Sequence, residues 1–288
     1  MIKISRQCAM FQMFRHLCGF VLLGTFLSLS TIHAQELPAA NPGRPTVSTP
    51  ATLTPVGYLQ FENGALYANG SQEFSNQFSV NQVTKLTVTS RLQLLTSWQP
   101  FAYSNADFDH STQSGDLLLG AQVVVFPGEK LKPTIALSYF HRTYSGTAPD
   151  TDIGSNSQNA LLLLSNDMFG FHIDNNYFVT EQSDGTVRRA QFGQTLSVSH
   201  PLTGKFGLGC ELWHFSQPLT GGSAVGLLIS PNYTVRPNLV IDTGFQRGLT
   251  STSTHWEAFA GFTYVLPHRL WRRGAPEPST TKPRTQSN

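Results

Sequence analysis

From Gly57 to Leu266 the apolar residues recur at every second position, in segments of about ten residues, and never hold a helical period. In Thr134–Tyr139 one face carries Ile135, Leu137 and Tyr139, and the other Thr134, Ala136 and Ser138. Phe192, Leu196 and Val198 alternate with Gln191, Gly193, Thr195, Ser197 and Ser199. Phe262, Tyr264 and Leu266 are likewise set against Gly261, Thr263 and Val265. Successive side chains of a strand point to opposite faces, so each segment has one apolar face and one polar or small one. Twelve segments fit: 57–67, 77–87, 91–103, 114–126, 132–143, 157–166, 169–180, 189–200, 205–215, 223–234, 238–247 and 255–266.

Their connections alternate in length. Val88–Ser90, Pro127–Leu131, Asp167–Met168, Pro201–Gly204 and Val235–Pro237 are tight, whereas stretches such as Ser104–Gln113 and Tyr144–Asn156 are long and polar. An even number of strands with short turns at one end and longer loops at the other is the pattern of an antiparallel up-and-down barrel in a bacterial outer membrane. In lipid an open sheet would leave edge amides unpaired, so closure follows. Trp98, Tyr103, Tyr144, Tyr177, Trp213 and Trp256 fall toward the long-loop ends, and Tyr58, Phe126, Phe169, Phe206, Tyr233 and Tyr264 toward the short-turn ends. The expectation is two interfacial girdles.

Composition fits such a wall. The 288 residues are 40% hydrophobic and only 12% charged, yet no run is long enough for a helical bundle in the bilayer. Nineteen basic against seventeen acidic side chains form no basic stripe, which argues against nucleic-acid binding. Residues 1–34 read as a secretory signal: Lys3, Arg6 and Arg15 precede an apolar core from Phe20 to Leu29, with cleavage expected after Ala34. Residues 35–56 are expected to be a Pro-rich, extended and mobile periplasmic linker, 57–267 the barrel, and 268–288 a basic tail rich in Pro, Ser and Thr. Loss of the signal removes Cys8 and Cys18 and leaves Cys210 alone, which excludes a disulfide framework and a cysteine zinc site.

The start of the first strand, Pro55-Val56-Gly57-Tyr58-Leu59-Gln60-Phe61-Glu62-Asn63-Gly64, resembles the Pro-x-Gly-x-x-Gln-x-Glu-x-Gly motif of the MetA-pathway phenol-degradation family of outer-membrane proteins. Val88–Leu92, Ser114–Gly120 and the closing strand are also similar to it. The closing Gly261–Leu266 has the form of a signal read by the barrel-assembly machinery, followed here by a tail. The resemblance implies a channel or transporter for small, hydrophobic or aromatic compounds.

Strand phase supplies candidate lumen-lining residues. With Leu59, Phe61 and Tyr67 toward lipid, Gln60 and Glu62 point inward, and the same phase places Gln93, Gln122, Asp174, Gln191, Glu211, Asp242, Gln246 and Glu257 inside. Two readings stay open: a wet, mildly cation-selective lumen, or a plugged interior in which these groups bond one another. Acidic residues of the long loops, among them Asp107, Asp109, Asp116, Asp150, Asp152, Glu181 and Asp184, are either an acidic mouth or ordinary solvated loops. Arg91, Lys130, Lys132, Lys205 and Arg236 lie by the short turns. The sequence therefore predicts an outer-membrane barrel passing a small solute passively, with outer-membrane lipids and lipopolysaccharide around it and no cofactor or metal. The alternatives are a lipid-hydrolysing barrel using a serine and one of His141, His172, His200, His214 or His255, and a non-conducting structural barrel. The triplet Asp109-His110-Ser111 is a poor catalytic candidate, because consecutive residues rarely face one another.

Overall fold

The computed structural model describes residues 37–106, 109–129, 131–152, 156–183 and 185–271. The expected signal, Asp107, Lys130, Asp184 and the tail from residue 272 lie outside the described residues. The strands are β1 (Leu59–Asn69), β2 (Asn76–Thr87), β3 (Leu92–Ala106), β4 (Asp109–Gln113), β5 (Leu117–Phe126), β6 (Thr134–Tyr144), β7 (Asn156–Met168), β8 (Phe171–Ser183), β9 (Arg188–Thr203), β10 (Phe206–Ser216), β11 (Ser223–Arg236), β12 (Leu239–Gly248) and β13 (Trp256–Val265).

All pairings are antiparallel and join chain neighbours, except that β3 also pairs with β5 and β1 with β13, the latter from Gln60↔Val265 to Asn69↔Trp256. The wall of the sheet thus closes on itself, as a membrane-spanning sheet must. Strand β4 pairs only with β3, while β3 passes its lower half on to β5. Twelve strands therefore form the wall, and the expected loop Ser104–Gln113 is a hairpin rising above it. Outward positions such as Leu119, Leu137, Phe192, Leu212, Ile229 and Phe245 are exposed along the whole circumference. An apolar coat on a closed barrel is the surface that hydrocarbon covers, so this is a transmembrane β-barrel.

The turn between β7 and β8 is Phe169-Gly170, two residues later than expected. A two-residue type I′ hairpin needs positive φ at both positions, and the two residues adopt φ of 55° and 83°. Asp167-Met168, the turn read from the sequence, instead extends β7. Two girdle residues are corrected as well. Trp213 is 2% exposed and shares the inward phase of Glu211, and Tyr58 is buried where Arg269 stacks on its ring at 5.3 Å. The start of the expected tail is ordered there, with Leu270 N donating to the Gly57 carbonyl at 2.8 Å.

The largest departure concerns the segment expected to be a mobile periplasmic linker. Residues 38–56 have no regular secondary structure, yet they run inside the barrel and are hydrogen-bonded to its inner wall. The physical reason is complementarity: an irregular chain carries unpaired amides, and the inner wall offers unpaired acceptors at matching heights.

Candidate functional site

The lumen has three levels. Nearest the short turns, inward carboxylates and amides hold the backbone of residues 38–56. Asn41 N donates to Gln60 Oε1 at 2.9 Å and Gly43 N to Glu62 Oε1 at 3.1 Å. Val47 N and Ser48 N donate to the two oxygens of Glu211, each at 2.7 Å, and Ser48 Oγ adds a third bond at 2.5 Å. Thr49 N reaches Asn176 Oδ1 at 2.6 Å, Ala51 N reaches Ser165 Oγ at 2.7 Å, and Thr54 N reaches Gln93 Oε1 at 3.1 Å. Carbonyls are met too: Gln60 Nε2 donates to Asn41 O, Asn176 Nδ2 to Thr49 O, and Gln122 Nε2 to Pro50 O and Ala51 O. An amide side chain presents a donor and an acceptor side by side, as a neighbouring strand does, so Gln60 and Asn176 each satisfy one residue of the segment completely. The segment makes a circuit of the wall, from β1 through β12, β10, β8, β7 and β5 to β3.

Two buried ion pairs lie at this level. Lys85 Nζ lies 2.6 Å from Glu62 Oε1, and both side chains are about 95% buried or more. Lys85 pairs with Gln60 across β1–β2, so its inward phase was readable, although attention to acidic residues missed it. Arg44 reaches Asp242 Oδ1 at 3.3 Å. Its guanidinium lies over Gly64 and Gly261, which face each other across β1–β13; a Cβ on Gly64 would stand 2.1 Å from Arg44 Cζ. Asp174 accepts from Ser165 Oγ at 2.5 Å and lies 3.2 Å from His172 Nε2.

Above this floor a belt of aromatic and aliphatic side chains stands among inward polar residues such as Thr195 and Gln246, which strand phase did not bring forward. Leu161, Leu163, Phe140 and Phe178 surround Ala51 and Leu53, while Trp213, Phe215 and Phe178 surround Val47. The rings lie flat against the wall because the residue opposite is glycine in four cross-strand pairs: Phe140 and Gly120, Phe215 and Gly193, Trp213 and Gly226, Phe259 and Gly244. A Cβ on Gly226 would come within 2.2 Å of Trp213 Cζ2. Gly226→Ala is therefore expected to push the indole off the wall and toward Val47, destabilising the barrel by about 1–3 kcal/mol. The readout is a lower temperature for loss of the compact, heat-modifiable gel band; an unchanged midpoint would contradict this packing.

At the long-loop end, the β6–β7 loop crosses the mouth. Gln77 Nε2 on β2 donates to Pro149 O at 3.0 Å, and Asp150 N donates to Glu73 at 3.1 Å. On the far side Gln217 Nε2 donates to Asp152 O at 2.9 Å, and Thr254 N to Asp152 Oδ1 at 2.7 Å. A cavity of about 380 Å³ remains beside the loop, between Glu73, Pro149, Gln182, Gln217 and Thr252. Burial pushes the Asp152 carboxyl from 3.8 to about 6, opposed by its bonds from Thr254. Because closing raises this pKa, the closed loop gains stability when Asp152 is protonated. That gain is complete below about pH 4 and is lost as pH rises through 6. Amides of residues 147–152 are expected to be protected more strongly at pH 4.5 than at pH 8, by up to about thirtyfold after correction for intrinsic exchange. Asp152→Asn should abolish the difference, and its persistence in that variant would refute the assignment.

All ten candidates lie on the inner face and are buried. Gln60, Glu62, Gln93, Gln122, Glu211 and Asp242 meet the segment directly, and Asp174 does so through Ser165. Gln246 accepts from Trp213 Nε1 at 2.9 Å, Gln191 spans to Ser216 O, and Glu257 belongs to the mouth. Segment 38–56 itself, Lys85, Asn176 and the aromatic belt were not anticipated as parts of the site. Among the histidines, His172 bonds Asp167 and Asp174, His200 the Gly170 carbonyl, and His110 Asn105; none of these three meets a described serine hydroxyl.

No family model matches the chain. No curated protein matches it either. Among solved structures the chain is similar to an outer membrane channel from Pseudomonas putida F1, at 13% identity and a TM-score of 0.57, over 78% of this chain and 99% of that one. The NanC porin is similar at 10% identity and a TM-score of 0.53, over 71% of this chain and 98% of that one. KdgM porin crystallised with disordered oligogalacturonate is similar at 11% identity and a TM-score of 0.50, with the same coverage. At these identities the likeness establishes the twelve-stranded barrel fold.

Proposed function

We propose that the protein is a bacterial outer-membrane channel that passes a small apolar or aromatic solute. The observation that carries this reading is the belt of inward Phe140, Phe178, Trp213 and Phe215 in the long-loop half of the lumen, three of them seated against glycines. A water-filled sieve has no use for buried rings there, whereas flat apolar solutes gain about 0.5–1.5 kcal/mol from each ring they stack on, beyond burial. The channel and porin fold of the structural neighbours and the resemblance of Pro55–Gly64 to the phenol-degradation family support the same reading. Residues 1–34 would direct export and be removed, short turns would face the periplasm, and lipopolysaccharide would surround the mouth.

Planar bilayers test the solute class. In a barrel lacking residues 38–56, benzyl alcohol is expected to interrupt potassium current in discrete events, and erythritol is not. Trp213→Ala should shorten the interruptions roughly tenfold, the factor that about 1.4 kcal/mol sets. Equal dwell times for the two solutes would refute the aromatic preference, and a folded but silent barrel would refute the channel.

A further inference from the structure

We infer that residues 38–56 are an internal stand-in for the solute, and that an apolar aromatic molecule opens the channel by competing with Val47, Ala51 and Leu53 for the aromatic belt. This deepens the channel reading and rests on it.

Four observations lead here. First, the segment's apolar side chains already occupy the belt: Val47 lies against Trp213 and Phe215, and Ala51 and Leu53 against Leu161, Leu163, Phe140 and Phe178. A solute reaching this level finds part of the ring surface already covered by those side chains. Second, the segment can leave without unmaking the barrel. It forms no strand, and the wall closes on itself through β1–β13 and β2–β3 without its help.

Third, the segment is held by hydrogen bonds and one ion pair, Arg44 to Asp242, and by no strand pairing. Its one charged side chain is Arg44, and five of its nineteen residues are proline, which carry no amide proton to satisfy. Fourth, inward residues of the barrel wall receive the segment in order along its length. Gln60, Glu62 and Gly64 of the first-strand motif receive Asn41, Gly43 and Arg44 in turn. Glu211, which is fully buried, has the segment's Val47 and Ser48 as its hydrogen-bond donors.

The consequence is a linked equilibrium. While the segment is seated the belt is filled, so the apparent affinity for solute falls by the fraction of barrels that are empty. Saturating solute shifts the population toward the open form, because it binds that form alone.

Ser48 Oγ and Thr195 Oγ1 are 2.8 Å apart, close enough for a disulfide once both are cysteine. The test uses Ser48→Cys/Thr195→Cys on a Cys210→Ser background, since Cys210 is free and exposed. Under oxidant, bilayers holding this barrel should stay silent with or without benzyl alcohol. Reductant added to the same bilayer should release current that benzyl alcohol raises about tenfold and erythritol does not. The oxidised lock also controls for any effect of benzyl alcohol on the lipid. Equal currents under oxidant and reductant would overturn the inference. So would a parent chain indifferent to benzyl alcohol while the barrel lacking residues 38–56 conducts, a result that leaves the channel reading standing. A silent, folded deletion barrel instead removes the channel reading, and this inference with it.

Discussion

Deleting residues 38–56 is expected to turn a nearly silent barrel into one that carries discrete potassium current steps. Every strand-to-strand bond of the wall survives the deletion, because the segment touches the wall mainly through inward side chains. The groups it leaves behind are hydrophilic: Gln60, Glu62, Gln93, Asn176, Glu211 and Asp242 regain water in place of amides. A closed state favoured by a few kcal/mol leaves the open form at roughly 0.1–10% of molecules, so deletion should raise mean current about ten- to a thousandfold. Twelve strands enclose more room than the eight of a side-chain-filled barrel, which makes a through-path geometrically reasonable once the chain is gone. An unchanged mean current from a deletion barrel that still shows heat-modifiable migration would contradict a gating role for the segment.

Glu211→Ala is the point substitution with the largest expected effect. The carboxylate accepts from Val47 N, Ser48 N and Ser48 Oγ, all within 2.7 Å. Bonds to a charged acceptor contribute about 1.5–3 kcal/mol each at most, and amides stranded without an acceptor cost about 1–3 kcal/mol. In the open barrel none of these groups is buried against the other, so the loss falls on the closed form. A net shift of about 2–4 kcal/mol corresponds to a roughly 30- to 1000-fold rise in the open-to-closed ratio. Thermal stability of the barrel wall should change far less than the current. A matched fall in both would mean that Glu211 serves folding rather than closure.

Much of the wall was legible because a strand's two-residue period is local. Outward Leu137, Phe192 and Phe262 and inward Gln60, Gln122 and Glu211 follow from phase alone once a single residue is assigned to lipid. Phase was also sufficient to put Trp213 indoors, two residues from Glu211, but its place near a strand end suggested a girdle. Turn positions were less legible. Phe169-Gly170 was passed over for Asp167-Met168, because phenylalanine at positive φ is not a turn signal.

The fate of residues 38–56 could not be read locally. Five prolines without periodicity describe an extended chain, and an extended chain outside the barrel or inside it has the same sequence. What decides between them is whether acceptors stand at the right heights around a closed ring. Glu211, Asn176, Ser165 and Gln93 come from four strands spread over more than a hundred residues. The amino-acid sequence by itself determined a closed barrel with an apolar coat and a polar interior, because alternation and satisfied edge amides are constraints on each strand and its neighbour. Only the tertiary structure decided that this interior is occupied, since that depends on non-local side chains converging on one irregular segment.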